Sequence, residues 1–371
     1  MKRLTLLLIA LAALVASPAA AQPLVDCPLR DAQFSSASPF IDILLSPAAS
    51  AVVERAAPGM TTRLPPQFMG KTPPTFAAIL TLKEASGFLR MQNLDLPAID
   101  RELAAIPITR EDKIARCARY DTAPPRLAMP QGKPRVLLFE KINGFRDGPS
   151  VDAAHAAIAA MAQRKGWAIV TTDKGSAFTP AVLKQFDAVI WNNISGDVLT
   201  LSQRRAFEAY MEQGGGFVGI HGSAGDPVYF WNWYVDGLLG ARFAGHPMAK
   251  HFQTARVNIE DADHPVARGL PKTWEMNEEW YSFKTNPRAS GARIIATLDE
   301  TTYDPTAMSP GDLKMGDHPV AWSRCVGRGR MFYSAIGHQP ARYSDAVYVQ
   351  MLEQAVAWAA ERDGADCGLA K

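Results

Sequence analysis

GGGFVGIHGSAG, residues 214–225, is the stretch from which the fold of this chain can be read. Three glycines precede a short apolar run, the run closes on His221, and small residues follow. That is the outline of a buried strand carrying one side chain into a sharp turn. Where hydrolases and amidotransferases use this device, the side chain delivered is a nucleophilic Ser or Cys. Here it is an imidazole. Gly214 suits the position after a helix, where a left-handed backbone costs glycine little. Gly219 thins the strand for the approach of another backbone, and Gly222 permits the turn after His221. Neither G-x-x-x-x-G-K-[ST] nor G-x-G-x-x-G is present, which argues against a phosphate-cradling loop.

The flanking segments alternate in period. RVLLFE (135–140), WAIVTT and FDAVIWNN read as buried strands. Between them, a helix capped by Ser150 carries Ala154, Ile158, Met161 and Ala162 inward and stops at Gly166. A second helix, from Ser202, puts Ala206, Phe207, Tyr210 and Met211 on one face. ARIIATL, HPVAW and GRMFYSAIGH read as further strands, and a last helix spans about 345–361. This alternation predicts an α/β fold with a parallel sheet covered on both faces. Residues 22–130 differ: short helical pieces, many prolines and no histidine. They read as a small, mainly helical domain that ends in a proline-punctuated linker, with the α/β domain over 131–365.

Residues 1–21 have a basic start, an apolar run and a small-residue end, the layout of a signal peptide cut before Gln22. The expected location is therefore periplasmic or secreted. No later stretch is long and apolar enough to span a bilayer. Of 39 basic residues, removal of Lys2 and Arg3 leaves 37, equal to the 37 acidic ones. That balance argues against a nucleic-acid partner. The four cysteines lack metal-ligand spacing, so disulfides are expected, Cys27 with Cys117 and Cys325 with Cys367.

Six of the seven histidines follow Gly216: His221, His246, His251, His264, His318 and His338. The seventh, His155, shares a helix face with Ala154, Ile158 and Met161 and reads as a partly buried core residue. His221 and His338 each close a strand. In an open α/β sheet the ligand crevice lies outside the carboxyl ends of the strands, so parallel strands would put both imidazoles on one rim. His246, His264 and His318 precede prolines, which hold them extended. Asp263 and Asp317 precede two of these as ring-orienting or turn-opening groups. NEEWY (277–281) is the richest carboxylate stretch of this half, and in a strand only one of Glu278 and Glu279 could face His221. A Glu/His pair can do acid–base work on a sugar or carbonyl, hold a divalent metal or bind a polar ligand. Trp231, Trp233, Tyr234, Trp280 and Tyr281 offer flat faces for sugar rings. Ser223 lies two residues past the elbow and no Cys is near, so a covalent nucleophile is not supported.

In order along the chain, Phe145-Arg146, the GGGFVGIHGSAG stretch, Ala244-Gly245-His246-Pro247, Glu278-Glu279-Trp280-Tyr281, Asp317-His318-Pro319-Val320-Ala321-Trp322 and GRGRMFYSAIGH resemble the ThuA-like (trehalose utilisation) family. The match runs from about Arg135 to Ala360. The resemblance implies a class I glutamine amidotransferase-like fold, a flavodoxin-like α/β sandwich without the glutaminase cysteine. It also implies a place in disaccharide use, including 3-keto sugars made by a partner sugar dehydrogenase. Two positions depart from the family pattern: Asp147 stands where Phe-Arg-His would put a histidine, and Glu278 replaces an Asp.

The expectation is an exported protein acting on a sugar or 3-keto sugar. His221, Glu279 and His338 would be catalytic, with Glu279 or His221 as general base. Arg146, His246, Glu278, Trp280, Tyr281 and His318 would contact the ligand. A divalent metal is a candidate cofactor with no ligand set fixed. The alternative is a non-catalytic carbohydrate- or partner-binding module on the same fold.

Overall fold

The computed structural model describes residues 23–88, 94–306 and 312–361. The expected signal peptide lies outside the described residues, as does Cys367 and with it the expected second disulfide.

The N-terminal segment folds as helices α1 (Phe40–Leu45), α2 (Pro47–Ala56), α3 (Pro66–Met69), α4 (Leu82–Phe88), α5 (Leu96–Ala104) and α6 (Arg110–Cys117). Ser46 caps α2, and Thr109 forms a reciprocal capping box with Asp112 at α6. Phe34, Phe40, Ile43, Val53, Leu82 and Leu103 form a core of their own. Asp42 is buried there and accepts from Arg119 at 2.7 Å. Cys27 and Cys117 are joined as expected, across 90 residues.

The second part is built on β1 (Arg135–Phe139), α7 (Gly148–Lys165), β2 (Ala168–Thr172), α8 (Pro180–Leu183), β3 (Ala188–Asn192), α9 (Leu201–Glu212) and β4 (Gly216–Ile220). It continues with β5 (Phe243–Gly245), β6 (Gln253–Ile259), β7 (Thr273–Glu278), β8 (Ser282–Phe283), β9 (Arg293–Leu298), β10 (Pro319–Val326), β11 (Gly329–Ser334) and α10 (Ala346–Ala360). Nine strands form one sheet in the order β2-β1-β3-β4-β11-β10-β9-β6-β7, and β5 pairs with β8 apart from it. Every residue of β3, β4 and β11 is buried, so both faces of the sheet are covered there.

The first five strands are parallel. The rest of the sheet corrects the expectation of a parallel sheet: β10, β9, β6 and β7 run antiparallel to their neighbours. The cause is local. β10 and β11 are joined by Gly327-Arg328 alone, with Gly327 at φ +59. A two-residue turn can only reverse the chain, whereas a parallel partner needs a crossover of a dozen or more residues. The result is a mixed α/β fold whose central strands are parallel and whose far side is an antiparallel wing.

Helix α7 begins three residues before the expected start, because Asp147 rather than Ser150 supplies the cap. Thr200 and Gln203 box the start of α9, and Asp345 caps α10. Gly214 follows α9 at φ +93, as its place in the sequence requires. At Gly216 a Cβ would lie 2.2 Å from the carbonyl oxygen of Ala359, so α10 can pack on β4 only over glycine. Gly219 makes room for the rings of Phe217 and Tyr333 rather than for a backbone. Among the described residues no helix is long and apolar enough to cross a membrane.

The disulfide closes a long loop, so its main effect is to restrict the unfolded chain. Cys117→Ser should lower the stability by about 4.6 kcal/mol by the chain-entropy relation, read from denaturant melts of the oxidised wild type and the variant. A difference below about 1 kcal/mol would show that the native N-terminal core holds without the cross-link.

Candidate functional site

A cavity of about 280 Å³ lies at the carboxyl edge of the parallel strands. Three parts of the chain wall it. The strand ends and the loops after them supply Phe145, Asp147, Asn193, Ser195, His221, Asp226 and His338. The antiparallel wing and the loops around β5 supply Phe243, His246, Met248, His251, Glu279 and Tyr281. The N-terminal segment supplies Phe76, Ile79 and Leu80. Phe76 stacks on Phe145 at 5.1 Å between ring centroids, and Phe145 stacks on His338 at 6.2 Å.

The elbow expected after β4 is present. His221 ends the strand at φ +37, a left-handed conformation rare for a residue with a side chain, and a 3₁₀ turn follows through Ala224. Its carbonyl accepts from the Tyr333 hydroxyl at 2.8 Å, and its ring stacks on Tyr281 at 4.1 Å. Its Nδ1 donates to the carbonyl of Ala335 at 2.7 Å. Its Nε2 lies 3.0 Å from Glu279 Oε2 and 3.2 Å from His338 Nδ1. His338 Nδ1 is also 3.0 Å from Glu279 Oε2. The other oxygen, Oε1, meets His251 Nε2 in a short contact and lies 3.2 Å from His246 Nδ1. One buried carboxylate is thus ringed by four imidazoles.

Electrostatics follows from that ring. Burial pushes the Glu279 carboxyl up, but the contacts from His221, His251 and His338 outweigh it and hold it well below the usual carboxylate range. Burial pulls His338 down, but the neighbouring Glu279 outweighs it and raises it. His246 goes the other way, pulled down chiefly by burial. Glu278 is pushed up by burial. Its side chain accepts from the backbone N–H groups of Glu279, Gly337 and Gln339 at 2.8, 3.3 and 3.2 Å. The two neighbouring glutamates therefore hold the 337–339 turn from different sides, one by its backbone and one by its imidazole.

Of the residues singled out in the sequence, His221, Glu279, His338, His246 and Tyr281 meet at the cavity. Four others do not line it. Arg146 pairs with Asp152 at 3.4 Å beside a separate polar cleft. Glu278 serves the backbone as described. Trp280 is buried and donates to the Gln253 carbonyl at 2.9 Å. His318 is buried between Glu300 at 2.8 Å and the Tyr281 carbonyl at 2.8 Å. Glu300, not Asp317, orients that ring, because Asp317 pairs with Arg288 at 2.6 Å. His264 bonds to Ser323 and the Val266 N–H, and His155 pairs with Glu140 at a half-exposed position rather than in the core. Trp231 stacks on Trp233 and on Tyr234, and Tyr234 stacks on Trp191 in the core. Asp147, the departure from the family pattern, caps α7 and faces His338 Nε2 at 3.9 Å.

His251, Asp226 and the Phe76 wall were not singled out in the sequence as site residues. His251 lies in a loop without periodicity or a following proline. It carries no local signal beyond its residue type.

Three comparisons bear on this geometry. The model of the ThuA family, described as trehalose utilisation, matches residues 135–359. A ThuA-like protein from Bacteroides uniformis is similar in structure at a TM-score of 0.53 and 26% identity, over 61% of this chain and 90% of that one. A ThuA-like protein from Parabacteroides merdae gives 0.47 and 19%, over 62% and 91%. No curated protein matches the chain.

Asp226 generates a pH test. It is buried, and burial pushes its carboxyl up to about 7, against hydrogen bonds from Ser195 Oγ at 2.6 Å and the Gly196 N–H at 2.7 Å. An unfolded Asp releases its proton near pH 4. Between about pH 4 and 7 the folded chain holds a proton that the unfolded chain does not, so unfolding releases it. This contribution to stability is complete below pH 4, falls as pH rises, and is gone above about 7. Asp226→Asn should remove that slope. Relative to wild type the variant should gain roughly 2–4 kcal/mol between pH 4.5 and 7.5, read from urea melts across the range. A constant difference would mean that Asp226 is ionised throughout.

Proposed function

The chain belongs to the ThuA (trehalose utilisation) family, and from that premise we propose that it is an exported protein acting on a sugar or an oxidised 3-keto sugar. The observation that carries this reading is the Glu279 carboxylate, buried at the cavity and met on both oxygens by imidazoles from four separate segments. Burying a charge costs several kcal/mol per ion before its partners offset it. Groups arranged this way in a cleft are the usual mark of a chemical site.

The surroundings suit a sugar. Phe76, Phe145 and Tyr281 line the cavity with aromatic rings against which the apolar side of a pyranose ring can pack. His246 and His251, with 21% and 35% of their side chains exposed, are the imidazoles that can reach a ligand. On a 3-keto disaccharide, the carbon between the ketone and the glycosidic carbon carries an acidified proton. A base removes it, its electron pair forms the new double bond, and the glycosidic C–O bond breaks as an acid protonates the leaving oxygen. His221, Glu279 and His338 are the polar centre against which that charge would develop. Such a substrate must be supplied by an oxidation at a sugar hydroxyl, which fits the link to a sugar dehydrogenase. The disulfide between Cys27 and Cys117 agrees with an oxidising compartment and so supports export.

The test is incubation with disaccharides and with the corresponding 3-keto disaccharides, followed by product analysis. Release of the second sugar from a keto substrate is expected, and His251→Ala should slow it about 10²–10⁴-fold as loss of a positioned acid–base group does. Tight binding of these sugars with no turnover of any would replace the enzyme reading with that of a carbohydrate-binding module.

A further inference from the structure

We propose that His221 Nε2, His338 Nδ1 and Glu279 Oε2 form a site for one divalent first-row transition-metal ion. The polar partners of the two rings fix the proton position on His221 and bias it on His338. A backbone carbonyl only accepts, so His221 Nδ1, 2.7 Å from the Ala335 oxygen, carries the proton, and the neutral ring presents a lone pair at Nε2. His338 Nε2 faces the Asp147 carboxylate at 3.9 Å, beyond a direct hydrogen bond but on the side that favours the ring proton there, and a ring protonated at Nε2 has its lone pair at Nδ1. Glu279 Oε2 is an acceptor as well. Three lone pairs therefore converge on one point, buried and in mutual contact. A proton can bridge one pair of them at a time. A metal ion satisfies all three together.

The dimensions agree. The three donor atoms form a triangle with edges of 3.0, 3.0 and 3.2 Å. Metal–ligand bonds of about 2.0–2.2 Å give ligand edges of about 2.8–3.1 Å around an octahedral ion and about 3.3–3.6 Å around a tetrahedral one. The observed edges sit at the octahedral end, as one face of the coordination sphere made by two imidazoles and a carboxylate. His221 has the outer hydrogen-bond partner typical of metal-bound histidines, a backbone carbonyl, and His338 turns its far nitrogen toward the Asp147 carboxylate at 3.9 Å. The second histidine pair, His246 and His251, grips the opposite oxygen of Glu279 and is more exposed. It holds the carboxylate in place from the rim. The remaining coordination positions open on the cavity, where a ketone and a neighbouring hydroxyl could both bind and be polarised. That last use rests on the sugar reading; the ion site rests on the donor set alone.

The full chain, stripped with chelator, is titrated with Co²⁺, with Mn²⁺ and Zn²⁺ as competitors. Bound metal is quantified and the visible cobalt spectrum is followed. One ion per chain with imidazole-type d–d bands is expected. Asp147→Asn should weaken binding about 10–100-fold as loss of an outer partner does, and His338→Ala roughly 100-fold or more, with circular dichroism confirming the fold. His251→Ala should keep one ion per chain. Wild type that retains no ion and gives no cobalt spectrum overturns the site, and so does loss of the ion in His251→Ala with retention in His338→Ala. Ion binding without turnover of any sugar would sink the sugar reading alone. Turnover by a chain that binds no cobalt would sink the ion site alone.

Discussion

The structure around the cavity is organised by one electrostatic constraint, the burial of the Glu279 carboxylate. An ionised group at 2% exposure has to be compensated almost atom by atom. The compensation draws on distant parts of the chain: His221 at the end of β4, His338 after β11, and His246 and His251 in the loop after β5. Each must be placed to within a few tenths of an ångström. Other unusual features follow from this demand. His221 accepts a left-handed backbone to aim its ring. Glu278 spends its own buried carboxyl on the backbone N–H groups of the 337–339 turn, which fixes where His338 starts. Tyr281 lies flat on the His221 ring and His318 bonds to the Tyr281 carbonyl, a second layer that leaves the first little freedom.

The mixed sheet is the scaffold this constraint needs. Parallel strands β4 and β11 lie side by side, and the chain leaving each brings an imidazole to the same edge, His221 directly after β4 and His338 four residues after β11. A carboxylate between them has to come from the opposite direction. The hairpin of β10 and β11 reverses the chain and lets β9, β6 and β7 extend the sheet as a wing. The end of β7 then returns across the edge with Glu278 and Glu279. The helical N-terminal segment closes the remaining side with Phe76, Ile79 and Leu80. That apolar wall excludes water and so strengthens the electrostatic interactions inside.

The parallel half was legible because burial on both faces leaves its strands as unbroken apolar runs, RVLLF and AVIWN among them. The wing was harder. β6, QTARVNI, is half exposed, and its alternation of polar and apolar residues gives no clue to direction. His221 and His338 could be placed because strand ends have a defined side in such a sheet. Glu279 could be paired with them only by residue type, and it lies one residue past the end of β7, where strand alternation no longer applies to it. His318 and Arg146 looked like site residues since a motif marks a position as special without saying what for. His318 turns out to hold up the backbone of Tyr281, and Arg146 faces a different cleft. His251 and the Phe76 wall depend on loop paths and domain packing, which local sequence does not encode.

The elbow itself explains why an imidazole stands where a nucleophile is usual. A serine at this position needs a free base beside it. Here the next hydroxyl, Ser223, is committed to the Trp191 carbonyl at 3.0 Å and the Ile194 N–H at 3.2 Å. The residue at the elbow instead has one nitrogen fixed by a backbone carbonyl and the other turned to a carboxylate and a second imidazole. The strained turn still serves to present one reactive atom at the edge of the sheet. What it presents is a lone pair locked in direction, with its proton held on the far side of the ring. Such a group is suited to hold a cation or to stabilise charge that develops on a bound ligand.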